Sequence, residues 1–302
     1  MRILITGAAG FIGQQLLADL AVQQPNWTLF AADIREIPAN LLRGNVHPLL
    51  LDISRRAAVL KAVAECQPQA IVHLASVVSP PPGMSEASLH AIDVDGTQAV
   101  VDAAAAHGVE QLIITSSGAA YGYYPENAEW IDEHDPLRGH NKFAYARHKR
   151  EVEELLVQAR ITHPQLRQLI LRPGTILGKR VNNQITDMFK KPVVLGIQDS
   201  DSRFVFIWDQ DVVRIIRKGL ECGTAGTYNL AGDGALSLRE IAQILRKPYL
   251  PLPAGLLQGA LRLLKPLGLS QYGPEQVDFL RYRPVLANRR LKEEFGYTPR
   301  FQ

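Results

Sequence analysis

The stretch Arg2-Ile3-Leu4-Ile5-Thr6-Gly7-Ala8-Ala9-Gly10-Phe11-Ile12-Gly13 decides the fold. A short apolar run ends in a threonine, glycines follow at GxxGxxG spacing, and a helical pattern opens at Phe11 and Ile12. Between a strand and a helix these residues make a phosphate cradle. Gly7 turns the chain, Gly10 lets the backbone approach a pyrophosphate, and Gly13 brings the helix close to the sheet. The first N–H groups of the helix and the positive end of its dipole then face the anion. Asp33 ends the next apolar run, where a carboxylate can accept hydrogen bonds from an adenosine ribose. It repels a 2′-phosphate, so NAD is the expected cofactor, while Arg35 two residues later leaves NADP open.

Outward from that opening, apolar runs rich in Ile, Val and Leu alternate with stretches of helical period through residue 175. The spacing predicts strands at 2–6, 27–32, 46–51, 70–74, 111–115 and 166–171, and helices near 11–23, 55–66, 87–107 and 141–161. Six such strands with intervening helices read as a Rossmann-type doubly wound parallel α/β sheet. Residues 1–172 are expected to form the NAD-binding domain, with segments around 204–230 returning to it. Residues 173–302, richer in proline and glycine, read mainly as a smaller C-terminal substrate lobe. That lobe holds a charged loop at 199–203 and a leucine-rich stretch around 256–267 that either fills a core or faces a hydrophobic substrate. A second acid, Asp52, precedes Ile53 at the end of the third strand, where the pair either meets an adenine edge or Asp52 caps the next helix. The prolines at 80–82 stiffen the loop after the fourth strand.

Composition narrows the partners. The 302 residues are 46% hydrophobic and 21% charged, with a formal net charge of +3, too balanced for a nucleic-acid binder, so a small-molecule substrate is expected. The two cysteines, Cys66 and Cys222, suggest neither a disulfide framework nor a zinc site, and no metal-ligand spacing occurs. No run approaches membrane-span length, and a cytoplasmic location is expected.

Tyr145 and Lys149 stand four apart in the 141–161 helix, so both side chains project from one face. A cation near a phenol favours the phenolate and lowers its pKa toward the range a general base needs. The fifth strand ends in Thr115-Ser116-Ser117-Gly118-Ala119-Ala120-Tyr121-Gly122, which puts the Ser117 hydroxyl at a strand carboxyl end, suited to a substrate oxygen. His73, in a buried-looking strand, reads as a satisfied core residue, and His148 as lying on a different helix face from Lys149.

These features together resemble the extended short-chain dehydrogenase/reductases of the NAD-dependent epimerase/dehydratase family, over essentially the whole chain. The shared features are the TGxxGFIG opening, Asp33, Asp52-Ile53, His73-Leu74-Ala75, the SSxxxYG segment, Tyr145 with Lys149, and Arg172-Pro173. Phe206-Ile207-Trp208-Asp209-Gln210-Asp211-Val212 is similar to the family's FIHVDDV segment, and Phe295-Gly296-Tyr297-Thr298-Pro299 to its closing LGWxP. The resemblance implies Tyr145 as acid/base, Lys149 as ribose ligand and tuner of Tyr145, and Ser117 as the group orienting the reacting oxygen. It also implies cofactor contacts from Leu74, Ala75 and Pro173, and a homodimer through the helices at 87–107 and 141–161. Ser76, Tyr121, Arg203 and Arg283 are candidate substrate residues.

The departures concern substrate. Family dehydratases carry an Asp-Glu pair where Gly118 and Ala119 stand, so dehydration is not expected. Nucleotide-sugar epimerases carry a diphosphate-binding arginine where Phe204 stands, and the family's NxxGT asparagine is Asp93. The expected activity is therefore hydride transfer at a secondary alcohol or ketone carbon. A nucleotide-sugar epimerase and a non-enzymatic dinucleotide sensor are the alternatives.

Overall fold

The computed structural model describes residues 1–81, 83–179, 181, 184–198, 200–265, 273 and 276–300. Pro82, Asp199 and the end of the leucine-rich stretch from residue 266 onward, each named in the sequence reading, lie outside them. The chain runs β1 (Arg2–Thr6), α1 (Phe11–Gln23), β2 (Thr28–Asp33), β3 (Val46–Leu50), α2 (Arg56–Cys66), β4 (Ala70–His73), α3 (Glu86–His90), α4 (Gly96–Ala106) and β5 (Gln111–Thr115). It continues through α5 (Ala144–Thr162), β6 (Arg167–Pro173), β7 (Thr175–Leu177), α6 (Gln184–Lys190), β8 (Val194–Ile197), β9 (Arg203–Phe204), β10 (Phe206–Trp208), α7 (Asp209–Cys222) and β11 (Gly226–Leu230). Last come β12 (Leu236–Ser237), α8 (Leu238–Ile244), β13 (Tyr249–Leu252), α9 (Ala254–Leu264), α10 (Gln276–Arg281) and α11 (Arg289–Glu293).

Seven strands form one parallel sheet in the order β11-β6-β5-β4-β1-β2-β3. The strand beyond the expected six is β11, whose short GTYNL run lies far down the chain and pairs with β6. The alternation of the strands feeds two cores. Ile3, Ile5, Ile113, Leu169 and Leu171 pack under α1 and α7, and Leu4, Leu112, Ile114 and Ile170 under α2, α4 and α5. Both faces are covered, which is why these strands read as nearly continuous apolar runs. Each fully buried aliphatic side chain contributes about 1.5–3 kcal/mol. Ala99, Ala103 and Ala104 lie in the second core, so the alanine run of α4 is spent on intramolecular packing.

The expected helix at 87–107 is broken. Ser85 caps α3 by accepting from the Ser88 N–H at 3.1 Å, and Ala91–Asp95 forms a π turn before α4 begins. That extra residue per turn swings Asp93 inward, and such insertions recur at functional sites. Asp52 does not cap α2, which starts with Arg55 at its N-cap. The Asp52 carboxylate instead accepts from the Ser54 N–H and hydroxyl.

Strand order reverses at the β1/β4 boundary, and the carboxyl ends of the strands open there into a crevice, the place where open α/β sheets bind ligands. Over it sits a lobe of short pairs, β7 with β10, β9 with β12 and β8 with β13, around a core of Val194, Phe204, Leu238, Ile241 and Ala242. The leucines of α9 belong to neither the core nor the crevice lining. No residue of α9 is buried, and Leu256 and Leu263 are 62% and 71% exposed.

Candidate active site

A cleft of about 680 Å³ runs along the carboxyl ends of the central strands. Gly7, Gly10, Phe11, Ile12, Gly13, Leu74, Ser76, Ser117, Tyr145, Lys149, Pro173 and Arg283 all line it. Residues from six separate segments thus meet in one space.

The glycine loop is built for close approach. Gly7 has φ +70°, and a Cβ there would lie 2.6 Å from the Ala75 nitrogen, so Ala75 and Leu74 form the floor beneath it. A Cβ on Gly13 would lie 2.3 Å from the Gly7 carbonyl oxygen. The N-cap of α1 is Gly10, with no side chain capping the first turn, which leaves N–H donors facing the cleft. Asp33 stands just outside the lining. Its carboxylate accepts from the Ala9 N–H at 3.0 Å and from the Arg35 N–H and Nε–H, so it braces the loop and holds Arg35 against itself. A cradle emptied of side chains, an uncapped helix start and an acid at the end of β2 fit a dinucleotide. Replacing Gly7 with Val puts a branched side chain at positive φ against backbone. We expect a loss of about 2–4 kcal/mol, read by urea unfolding; an unchanged midpoint would contradict this geometry.

Ser117 caps the short 3-10 turn at Gly118–Tyr121 by accepting from the Ala119 N–H at 3.1 Å, which frees its own proton to bond the Tyr145 hydroxyl. Lys149 is buried, donates to the Thr115 carbonyl at 3.1 Å, and holds its ammonium 5.6 Å from the centre of the Tyr145 ring. The expected drop in the tyrosine's pKa is absent. Burial pushes Tyr145 up to about 12, the Ser117 hydrogen bond opposes this, and the charge of Asp93 adds to it. Burial lowers the Lys149 pKa, opposed by Asp93 and Glu153. Tyr145 is therefore a neutral phenol at pH 7.

Asp93 was identified in the sequence only as a departure, and its role emerges from the π turn. The carboxylate accepts from the Ser76 hydroxyl at 2.8 Å and the Val77 N–H at 3.1 Å, and faces His148 Nδ1 at 3.4 Å. His148 lines the same cleft as Lys149 rather than turning away, and its Nε2 has no hydrogen-bond partner among the described residues. Tyr123 and Phe279, both cleft residues, also escaped the sequence reading, Tyr123 because an isolated aromatic in a loop carries no periodic signal and Phe279 because the six-residue α10 is too short to show one. His73 is the satisfied core residue expected. Thr97 gives its proton to the Asp93 carbonyl, so His73 Nε2–H donates to Thr97 and Nδ1 accepts from Thr6. Burial holds the imidazole neutral by lowering its pKa to about 3, with Lys149 acting in the same direction.

Four expected site residues lie elsewhere. Tyr121 is buried, its hydroxyl bonded to Asn229 and accepting from Arg172, so it is structural. Arg203 is exposed on β9 and pairs with Asp201 at 3.1 Å, because the side chain turned inward from that strand is Phe204. Ile53 packs beneath Gly96, and Asp52 stays in its own turn. Arg283 does reach the cleft. Its guanidinium lies 4.3 Å over Phe204 and 4.5 Å over Phe279, donates to Thr175 Oγ1 at 3.3 Å, and leaves Nη1 without a hydrogen-bond partner among the described residues. Burial lowers its pKa to about 10, so it is a cation at neutral pH. Among the described residues no group of three His, Cys, Asp or Glu could hold a metal, and no helix is long and apolar enough to cross a membrane.

A model of the NAD dependent epimerase/dehydratase family matches residues 3–231. An uncharacterized protein of Mycobacterium tuberculosis is 24% identical over 302 residues, covering 99% of this chain and 80% of that one. The N-acetyl-alpha-D-glucosaminyl-diphospho-ditrans,octacis-undecaprenol 4-epimerase of Escherichia coli O157:H7 is 27% identical, covering 85% and 78%. The UDP-glucose 4-epimerase of Thermus thermophilus, solved as a complex with NAD, superposes with a TM-score of 0.76 at 22% identity, covering 100% and 95%.

Proposed function

The chain belongs to the NAD-dependent epimerase/dehydratase family, and from that premise we propose that it moves hydride at a secondary alcohol or ketone carbon with Tyr145 as acid and base. The observation that carries this reading is the convergence of Ser117, Tyr145 and Lys149 on the cleft that the glycine loop floors. NAD, seated over Gly7–Gly13, supplies the hydride acceptor or, reduced, the donor, and when oxidised adds a positive charge that favours the Tyr145 phenolate. Ser117 hydrogen-bonds the reacting oxygen and fixes it within reach of Tyr145. In reduction the neutral phenol gives its proton to the developing alkoxide; in oxidation Tyr145 takes the hydroxyl proton, with the Lys149 ammonium stabilising the phenolate. Pairing of two copies through α4 and α5 belongs to the same reading, supported by Val157 and Ile161 exposed on α5.

Arg283 supports a substrate that carries an anionic group. A buried guanidinium with an open donor, and with no acid against it among the described residues, gains more from a carboxylate or phosphate than from a neutral partner. Phe204, in the place of a second arginine, favours a non-nucleotide substrate. The Arg283 cation together with the Escherichia coli relative favours the other reading, epimerisation of a sugar linked through a diphosphate, which uses the same proton and hydride transfers twice. The test is a melting panel with NAD, followed by NAD plus UDP, TDP or GDP. A response to NAD without a further rise is expected; a further rise with one nucleoside diphosphate, lost in Arg283→Met, would replace the simple redox reading with epimerisation.

A further inference from the structure

Residues 241–265 contain Arg246, Lys247, Arg262 and Lys265 and no aspartate or glutamate. The same stretch holds Ile244, Leu245, Leu250, Leu256 and Leu263, every one exposed. Within it α9 is the longest element. Leu257, Leu261 and Leu264 are half-buried against the lobe, whereas Leu256 and Leu263, two turns apart, share the outward stripe. Gly259 lies between them, and a Cβ there would meet nothing within 4 Å, so the stripe is open along its length. Arg262 and Lys265 flank its end. Ahead of β13, Lys247 donates to the carbonyls of Phe189 and Lys191, which brings Lys191 beside it.

Exposed leucines bounded by cations, on a helix with no buried residue, have the makeup of an interfacial helix. Charge selects the occupant. A second copy would bring like charges against like, whereas a surface of anionic headgroups complements a stretch whose sequence holds basic residues and no acid. We propose that α9 is a docking helix by which the protein binds peripherally to bilayers carrying anionic lipid. Leu256 and Leu263 enter the interface, and Arg262 and the neighbouring basic residues meet the headgroups. Because α9 packs against α10, which carries Phe279 into the cleft wall, docking sets the bilayer beside the substrate lobe. The proposal is independent of the reaction catalysed.

The experiment is co-sedimentation of the full chain with phosphatidylcholine vesicles, with and without phosphatidylserine. Pelleting that needs phosphatidylserine and weakens with added salt is expected. The double variant Leu256→Ser/Leu263→Ser should weaken binding about tenfold or more. Because both side chains are exposed, its melting temperature should match the parent. Protein that stays in the supernatant with phosphatidylserine vesicles, or binding that the double variant leaves intact, overturns the proposal. So does a dimer in light scattering that the double variant splits, since a second copy would then cover this face.

Discussion

Tyr145→Phe should lower turnover by about 10²–10⁴-fold, the usual worth of a positioned acid or base, while NAD binding stays within about twofold of the parent. The split follows from where the hydroxyl sits. Its side-chain partner in the cleft is the Ser117 hydroxyl, and removing it takes nothing from the glycine loop or from Asp33. The ring remains, so Lys149 keeps its seat at the Thr115 carbonyl. Because burial pushes the phenol up to about 12, the phenylalanine variant also spares the fold any charge change at neutral pH. A loss of turnover together with a collapse of NAD affinity would point instead to a cofactor-positioning role. Unchanged turnover would remove Tyr145 from the chemistry.

The second large effect concerns stability. Arg172, at the end of β6, donates Nε to both carboxylate oxygens of Glu153, at 2.9 and 3.1 Å, and Nη2 to Oε2 at 2.5 Å. Its Nη1 bonds the Tyr121 hydroxyl at 2.7 Å, and Ser116 closes the network by donating to Glu153 at 2.5 Å. Both charged side chains are buried, 7% and 3% exposed. Burial works against the guanidinium, but Glu153 and Tyr121 outweigh it and hold the charge. Arg172→Met strands a carboxylate with one hydroxyl donor, so a loss of about 3–5 kcal/mol is expected in urea unfolding. Removing the partner too, in Arg172→Met/Glu153→Gln, should recover part of that loss, since no buried charge is left uncompensated. A single variant within about 1 kcal/mol of the parent would mean that water reaches this network. The network ties α5, which carries Tyr145, to the strand end that carries Ser117, so stability and site geometry rest on the same ion pair.

How far the sequence alone reaches is visible in these same residues. The glycine loop and Asp33 were legible because a strand, a turn and a helix start fall within twelve residues and each constrains the next. Tyr145 and Lys149 were legible because helix periodicity puts them on one face. Asp93 was not, since its inward turn depends on a π insertion that no apolar pattern encodes. Phe279 meets the cleft only when the chain returns to it far along the sequence, and local spacing says nothing about that return, whereas Arg283 was named from its charge alone. The exchange of roles between Arg203 and Phe204 turned on one residue of strand register, which flips a side chain from solvent to core. For α9, helical spacing of leucines left core or substrate as the choices, and the outward face proved to serve neither.

The most direct measurement is the melting temperature of the wild-type chain as NAD is titrated, which needs no knowledge of the substrate. A ligand held by the native state alone at about a hundred times its Kd adds about 2.7 kcal/mol. For a chain of this size a rise of about 4 °C or more is therefore expected with NAD. Gly7→Val should lose that rise. No shift in the wild type at millimolar NAD, with the protein otherwise folded, would contradict a dinucleotide site over Gly7–Gly13 and the hydride chemistry built on it.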